Sequence, residues 1–130
     1  MESLRRTVAI VEDDASMRRS VLRLLNAHGI LAEEYTSAES FLGRDVGSNV
    51  ECLVLDVDLG GMSGIELQRR LKESGSGVPV IFITALEDDT LKVEATQAGC
   101  IAYLRKPFPA ALLIDAINDA FESQGPSSSD

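Results

Sequence analysis

The chain has 130 residues, of which 45% are hydrophobic and 25% charged, and its formal net charge is −9. This composition supports one domain with a buried core and excludes a disordered chain. The negative charge disfavours direct binding to nucleic acid or to an anionic membrane, and it favours cations or a basic protein surface. No stretch of about 18 apolar residues is present, so no transmembrane helix is expected.

The N-terminus and the cysteines indicate the compartment. Residues 1–6 lack the apolar core of a signal peptide. Cys52 and Cys100 are not spaced as a metal or redox pair, and both lie in apolar surroundings. We expect free, buried thiols in a reducing cytoplasm and a cytoplasmic protein.

Strand and helix signals alternate along the chain. Short apolar runs bounded by turn residues are typical of strands buried on both faces. Strands are predicted over about residues 7–11, 31–35, 52–56, 80–84 and 101–104. Helices are predicted to begin after Asp14, Ser37, Ser63, Asp88 or Asp89, and Pro109.

This alternation predicts an α/β fold. Because βαβ crossovers are right-handed, the chain should form a doubly wound parallel sheet with helices on both faces. The last helix is expected to bury Leu112, Leu113, Ile114, Ile117 and Phe121. The domain is predicted to span residues 1–123, and residues 124–130 are interpreted as a flexible tail or the start of a linker.

Polar residues suited to phosphate chemistry follow the predicted strands. Ligands of an open parallel sheet bind beyond the carboxyl ends of its strands. Asp56 ends the third strand, where its carboxylate could attack phosphorus and form an aspartyl phosphate. Glu12 and Asp13 follow the first strand. Three carboxylates at close quarters repel unless a cation neutralises them, and the hard cation that fits oxygen ligands most simply is Mg²⁺.

Two further residues belong to the same predicted edge. Lys106 follows the fifth strand and could pair with Asp56 and later with a phosphoryl oxygen. Thr84 ends the fourth strand, and its hydroxyl could donate to the same group. Each is a weak signal alone, since a lysine is usually a solvated surface residue and threonine favours strands. Because both follow strands at the same sheet edge as the carboxylates, together they strengthen the prediction of a phosphate site.

A second interpretation starts from the Asp-x-Asp pattern of Asp56 and Asp58. A strand followed by this pattern resembles the first motif of haloacid-dehalogenase-type phosphohydrolases. That motif usually opens a larger domain whose acidic metal pair lies downstream. Here the acidic pair lies upstream and no cap region is present, so the phosphohydrolase is the weaker interpretation.

Taken together, these motifs resemble the receiver domain of bacterial two-component response regulators, over about residues 7–121. The pattern is most similar to the FixJ-like group. The resemblance implies a flavodoxin-like (βα)5 fold with five parallel strands in the order 2-1-3-4-5. It also implies a phosphoacceptor signalling switch rather than an enzyme, although such a domain assists its own phosphotransfer and slow dephosphorylation.

Carried over by position, the resemblance assigns a role to each motif. Glu12 and Asp13 correspond to the acidic metal pair, and Asp56 to the phosphoacceptor. The backbone carbonyl of Asp58 corresponds to a further metal ligand. Thr84, Ala85 and Tyr103 correspond to the switch hydroxyl, the small residue beside the phosphate and the switch aromatic. Lys106 and Pro107 correspond to the Lys-Pro motif, whose peptide bond is usually cis in this family.

The resemblance also implies partners. A sensor histidine kinase or a phosphotransfer protein would supply the phosphoryl group with Mg²⁺ as cofactor. Phosphorylation would then change the face formed by helix 4, strand 5 and helix 5, where charges of both signs suit a phosphorylation-dependent homodimer. Neither nucleic acid nor membrane is expected to bind this domain directly. A phosphorylation-independent binding module on the same fold is the alternative.

Two positions depart from the family pattern. The loop after Asp56 has Gly60 where the family usually has proline, which predicts a more mobile loop. Glu12 replaces the commoner aspartate and extends that carboxylate by one methylene. Neither change removes a chemical group that the switch needs.

Overall fold

The structure is a computed structural model that describes residues 7–44 and 49–123. Within these ranges the chain alternates strands and helices, as predicted. The strands are β1 (Thr7–Val11), β2 (Leu31–Tyr35), β3 (Cys52–Asp56), β4 (Val80–Thr84) and β5 (Ala102–Arg105). The helices are α1 (Ala15–Ala27), α2 (Ala38–Leu42), α3 (Gly64–Glu73), α4 (Asp89–Ala98) and α5 (Ala110–Ser123).

The strands form one parallel sheet in the order β2-β1-β3-β4-β5. This arrangement confirms the predicted doubly wound α/β fold. The register pairs Leu55 of β3 with Val11 of β1 and with Phe82 of β4. The strands therefore end almost level, and their carboxyl ends lie along one edge of the sheet.

Side chains alternate between two hydrophobic cores. Val8 and Ile10 point to the face covered by α1 and α5, where Leu113 of α5 is fully buried. Ala9 and Val11 point to the opposite face, which α2, α3 and α4 cover. Helices on both faces explain why the central strands carry apolar residues on both faces rather than alternating with polar residues.

Side-chain caps fix where the helices begin after the carboxyl edge of the sheet. Asp14 caps α1 by accepting a hydrogen bond from the Ser16 amide at 2.9 Å. Asp88 caps α4 in the same way through the Thr90 amide at 2.9 Å. Such caps satisfy amide groups that the first helical turn leaves unpaired, so the loops that carry polar residues are anchored on their helix side.

Two predicted details of the last strand and helix were wrong. Strand β5 begins at Ala102 rather than at Ile101, whose side chain is 41% exposed. Leu112 was expected in the buried face of α5 but is 49% exposed. Each residue turns the helix by about 100°, so Leu112 falls outside the stripe that contains Leu113 and Ile117.

The remaining expectations concern the membrane and the chain end. No helix in the described ranges is both long and apolar enough to span a membrane. The predicted tail or linker, residues 124–130, lies outside the described residues.

The two cysteines differ in burial. Cys52 is fully buried at the start of β3, and burial raises the pKa of its thiol to about 12. Cys100 was expected to be buried but is only half-buried, because it lies in the loop between α4 and β5. Burial also raises the pKa of the Cys100 thiol.

This difference predicts the thiol reactivity of the folded chain. At about pH 8 the Cys52 thiol is protonated and shielded, so one thiol per chain should react with Ellman's reagent before unfolding. The reacting thiol should be Cys100, and Cys100→Ser should remove the signal. Two thiols titrating in the native chain, or a fast thiol in the Cys100→Ser variant, would contradict the burial of Cys52.

Candidate functional site

Four strand ends meet at the carboxyl edge of the sheet, and each carries one of the predicted polar residues. Asp56 and Thr84 are the last residues of β3 and β4, whereas Glu12 and Lys106 directly follow β1 and β5. One carboxylate oxygen from each of Glu12, Asp13 and Asp56 lies within 4.8 Å of the others. The fold therefore gathers three carboxylates in a space that one cation can fill.

Asp56 is nearly enclosed at the centre of this edge, with 4% of its surface exposed. Its Oδ1 accepts a hydrogen bond from the Asp58 amide at 3.0 Å, and its Oδ2 lies 3.5 Å from Lys106 Nζ. Gly64, the first residue of α3, packs against the backbone carbonyl of Asp56 so closely that a Cβ there would collide with it. The carboxylate is therefore held by its own loop and backed by a helix.

Glu12 is fully buried, and all its polar groups have partners. Its Oε1 accepts from Lys106 Nζ at 2.7 Å and its Oε2 from the Asp14 amide at 3.1 Å. Its amide donates to the Tyr35 carbonyl at 3.0 Å. Burial, followed by the neighbouring Asp56 carboxyl, raises the pKa of Glu12 despite these hydrogen bonds. The Glu12 carboxyl is therefore harder to ionise in the folded chain than in water.

Lys106 supplies the positive charge beside these carboxylates, with its side chain 14% exposed. The sequence predicted a pair with Asp56, but the ammonium is closer to Glu12, at 2.7 Å against 3.5 Å. Burial disfavours the charged ammonium, yet the hydrogen bond to Glu12 and the charges of both acids outweigh it and raise the pKa of Lys106. The lysine is a partly buried counter-ion, not a solvated surface residue.

Asp13 is the exposed member of the acidic group, so one carboxylate of the three faces solvent. Its neighbour Asp14 is committed to capping α1. This division matches the sequence interpretation, in which Asp14 serves the helix while Glu12 and Asp13 remain available near Asp56.

Thr84 is completely buried at the end of β4. Its Oγ1 accepts a hydrogen bond from the Leu86 amide at 3.0 Å, and its carbonyl accepts from the Lys106 amide at 2.8 Å. The next residue, Ala85, is small and exposed. Among the described residues, Thr84 Oγ1 acts as an acceptor in its contact with Leu86, so its hydroxyl hydrogen can be donated to a new acceptor.

Tyr103 lies on β5 opposite Phe82 of β4, with ring centroids 6.5 Å apart. Its hydroxyl is buried and has no hydrogen-bond partner among the residues that the structure describes. Burial, and then the charge of Asp88, raise the pKa of this hydroxyl. A buried hydroxyl without a hydrogen-bond partner costs free energy. A side-chain position that gives the Tyr103 hydroxyl a partner would therefore be favoured.

The loop regions carry the last predicted residues. The peptide bond between Lys106 and Pro107 is cis, the geometry that the resemblance implies. Asp58 has an exposed side chain, and its amide is the donor that holds Asp56 Oδ1.

Sequence reasoning missed two charged residues that support the site. Arg18 Nη1 donates to the Glu12 carbonyl at 2.9 Å, while its Nε contacts Glu34 at 3.2 Å. Glu39 of α2 accepts from the Met62 amide at 3.0 Å in the loop after β3. No sequence motif links these partners, because Arg18 reaches from α1 to the residue after β1 and to β2, and Glu39 reaches from α2 to the loop after β3.

The arrangement can hold a hard divalent cation and stabilise a nearby anion. The three carboxylates and the one ammonium leave an excess of two negative charges at full ionisation. A divalent cation would offset that excess and take oxygen ligands from the same group. A nucleophilic carboxylate beside a cation and a lysine is the chemistry that phosphoryl transfer requires.

Comparison with known proteins identifies the family. The model of the response regulator receiver domain matches residues 8–118. The chain is 38% identical to the transcriptional regulatory protein TdiR of Thauera aromatica over 114 residues, which cover 88% of this chain and 50% of that protein. It is 37% identical to the transcriptional regulatory protein FixJ of Azorhizobium caulinodans over 110 residues, covering 85% of this chain and 52% of that protein.

A solved structure agrees. The crystal structure of FixJ-N has a TM-score of 0.85 and 33% sequence identity, and the match covers 98% of this chain and 100% of that chain. The likeness to FixJ-like proteins is thereby confirmed, although the chain spans only about half the length of the two curated relatives. This chain belongs to the receiver domains of response regulators, the phosphoacceptor signalling switches of two-component systems.

Proposed function

We propose that Asp56 is the residue that accepts the phosphoryl group, and that a sensor histidine kinase or a phosphotransfer protein donates it in the cytoplasm. The observation that carries this proposal is the burial of Asp56 beside Lys106, whose ammonium lies 3.5 Å from Oδ2. A carboxylate oxygen of Asp56 would attack phosphorus in line while the bond from phosphorus to the histidine nitrogen breaks. Lys106 would offset the negative charge on the phosphoryl oxygens.

The residues present fit a magnesium ion. Asp13, Asp56 and the Asp58 carbonyl would provide ligands, and Glu12 would contribute the fourth oxygen group, directly or through a retained water. When bound, the ion would neutralise the phosphoryl oxygens during transfer. Burial and then Asp56 raise the pKa of Glu12, and the positive charge of the ion would act against that rise.

The switch would follow from new acceptors on phosphorylated Asp56. The buried Thr84 hydroxyl could donate to a phosphoryl oxygen, for which the small Ala85 leaves room. Movement of Thr84 would vacate space beside β5, and Tyr103, whose hydroxyl lacks a partner within the described ranges, would move inward. The phosphate would therefore bias two positions of one buried aromatic residue. Hydrolysis of the acyl phosphate, assisted by the same site, would reset the switch.

We further propose that the phosphorylated domain forms a homodimer through α4, β5 and α5. These elements and the residues just before them expose large apolar side chains: Leu86, Val93, Ile101 and Leu112. Arg105 forms an exposed ion pair with Glu87 at 2.7 Å, so charges of both signs accompany the apolar residues. This mixture suits a self-complementary surface. In this proposal the receiver domain spans residues 1–123.

The phosphoacceptor is tested by acetyl phosphate labelling. Asp56→Asn should abolish Mg²⁺-dependent labelling, because the amide is nearly isosteric but a poor nucleophile. The free energy of unfolding should stay equal or rise, since the repulsion between Asp56 and Glu12 disappears. Asp58→Asn is the matched control and should still be labelled. Stable label on Asp56→Asn would move the acceptor to another residue.

The metal site is tested by a pair of neighbouring variants. Asp13→Asn should weaken Mg²⁺ binding by at least about tenfold, because it removes a proposed ligand. Asp14→Asn removes the same charge one residue away, and asparagine caps a helix as well as aspartate does, so its Mg²⁺ affinity should remain close to wild type. Titrations followed by NMR would measure both. Equal affinities for Asp13→Asn and wild type would show that Asp13 is not a ligand.

The dimer is tested by sedimentation with Mg²⁺ and beryllofluoride, a phosphoryl mimic. Wild type should shift from monomer to dimer. Val93→Asn should weaken association by about tenfold, the effect expected for one central apolar contact. Leu31→Asn alters an exposed apolar residue on the remote edge strand β2 and should dimerise normally. A wild-type chain that stays monomeric, or two variants that lose association equally, would argue against this face.

A further inference from the structure

The loop between β3 and α3 contains two adjacent glycines, and one of them contacts Glu39. Gly60 and Gly61 have no Cβ, so the backbone of the loop is less restricted there than at other residues. Glu39, on the first turn of α2, accepts a hydrogen bond from the Met62 amide through Oε2 at 3.0 Å. The contact joins residues 23 positions apart and attaches the loop to a helix.

The two glycines are not equivalent. A Cβ at Gly61 would lie 2.7 Å from Oε2 and 3.3 Å from Oε1 of Glu39, whereas a Cβ at Gly60 would meet no atom within 4 Å. A side chain at position 61 would therefore force the Glu39 carboxylate to shift and would disturb its hydrogen bond with the Met62 amide. The absence of a side chain at Gly61 is what allows Glu39 to approach the loop.

Two other hydrogen bonds hold the loop near its ends. The Asp58 amide donates to Asp56 Oδ1 at 3.0 Å, and the Gly64 amide donates to the Val57 carbonyl at 3.0 Å. Between these ends, Leu59 is buried. The hydrogen bond from the Met62 amide also lowers the pKa of the Glu39 carboxyl, so the acceptor is ionised at neutral pH.

We propose that Glu39 is a positioning residue for the metal site: its carboxylate fixes the loop so that the Asp58 carbonyl is already in place when the cation binds. The inference rests on the proposed function, in which that carbonyl is a ligand. A loop held in its bound conformation loses less conformational entropy on binding. The contact between Glu39 and Met62 would supply this restraint in a loop that contains two glycines.

The test measures the Mg²⁺ concentration that half-saturates a titration followed by NMR without acetyl phosphate, together with the acetyl phosphate labelling rate at saturating Mg²⁺. Glu39→Ala and Gly61→Ala should each raise the half-saturating concentration by about threefold to tenfold, the range for one lost hydrogen bond. The rate at saturating Mg²⁺ should change by less than about twofold, because Glu39 does not touch the reacting atoms. Glu39→Gln, whose amide oxygen still accepts, should fall between Glu39→Ala and wild type.

Gly60→Ala is the matched control and should leave the half-saturating Mg²⁺ concentration at the wild-type value, because its Cβ has open space. In the double variant Glu39→Ala with Gly61→Ala, the second change should add nothing, since both remove the same contact. Gly61→Ala retains the Glu39 charge, so a matching effect separates loop positioning from long-range electrostatics. Circular dichroism would establish that each variant is folded.

Three results would overturn the inference. Wild-type Mg²⁺ dependence in both Glu39→Ala and Gly61→Ala would show that the contact does not serve the site. Additive effects in the double variant would show that the two residues act separately. With either of these two results, a wild-type chain that binds Mg²⁺ and is labelled would still support the proposed function, and only this inference would fail. A wild-type chain that neither binds Mg²⁺ nor accepts phosphate would overturn the proposed function and this inference together.

Discussion

The ammonium of Lys106 is the contact on which the acidic edge of the sheet depends. It lies 2.7 Å from a carboxylate oxygen of Glu12 and 3.5 Å from one of Asp56, so it connects the ends of β5, β1 and β3. A fully buried carboxylate such as Glu12 is costly when ionised and unpaired. Without Lys106, protonating Glu12 would cost less free energy than keeping its buried carboxylate ionised. The lysine thus allows Asp56 and its acidic neighbours to lie close together.

The lysine compensates only part of this charge, which has a functional consequence. Burial and Asp56 still raise the pKa of Glu12, although Lys106 and the Asp14 amide act against that rise. The remaining repulsion favours a divalent cation, because binding would relieve it. A cation beside these carboxylates would favour their ionised forms, which contributes to the affinity for Mg²⁺ that we propose.

A surrounding layer of contacts keeps the acidic groups in place. Arg18 holds the backbone carbonyl of Glu12, and the Glu12 amide binds the Tyr35 carbonyl at the end of β2. On the other side, Glu39 holds the loop that follows Asp56. Rigid support of this kind is what a charged site needs, since displacement of a ligand by even about an ångström weakens binding and catalysis.

The sequence predicted the strand ends well because the rule behind them is simple. Parallel strands all present their carboxyl ends at one edge, so Asp56, Thr84 and Lys106 could be placed there from their positions after apolar runs. The same reasoning could not decide that Lys106 lies closer to Glu12 than to Asp56, since side-chain reach depends on the relative height of β1, β3 and β5. The exposure of Leu112 was missed because a run of three apolar residues exceeds the width of one helical stripe.

The supporting contacts were invisible for a different reason. Glu39 and Met62 are far apart in the chain, and an acidic residue in the first turn of a helix is explained by the helix dipole alone. The departure at Gly60 was recognised and predicted a more mobile loop, but only the fold shows that the adjacent Gly61 admits a restraining carboxylate. Contacts between a helix and a distant loop require the tertiary structure.

The most direct test of the account is a crystal structure of the chain with Mg²⁺ and beryllofluoride. The account predicts beryllium bonded to a carboxylate oxygen of Asp56, magnesium bound by Asp13, Asp56 and the Asp58 carbonyl, and Lys106 in contact with a fluoride. It also predicts that the Thr84 hydroxyl donates to a fluoride and that Tyr103 has moved inward. Beryllofluoride bound to another carboxylate, or a magnesium ion held without Asp13 and Asp56, would contradict the central claim.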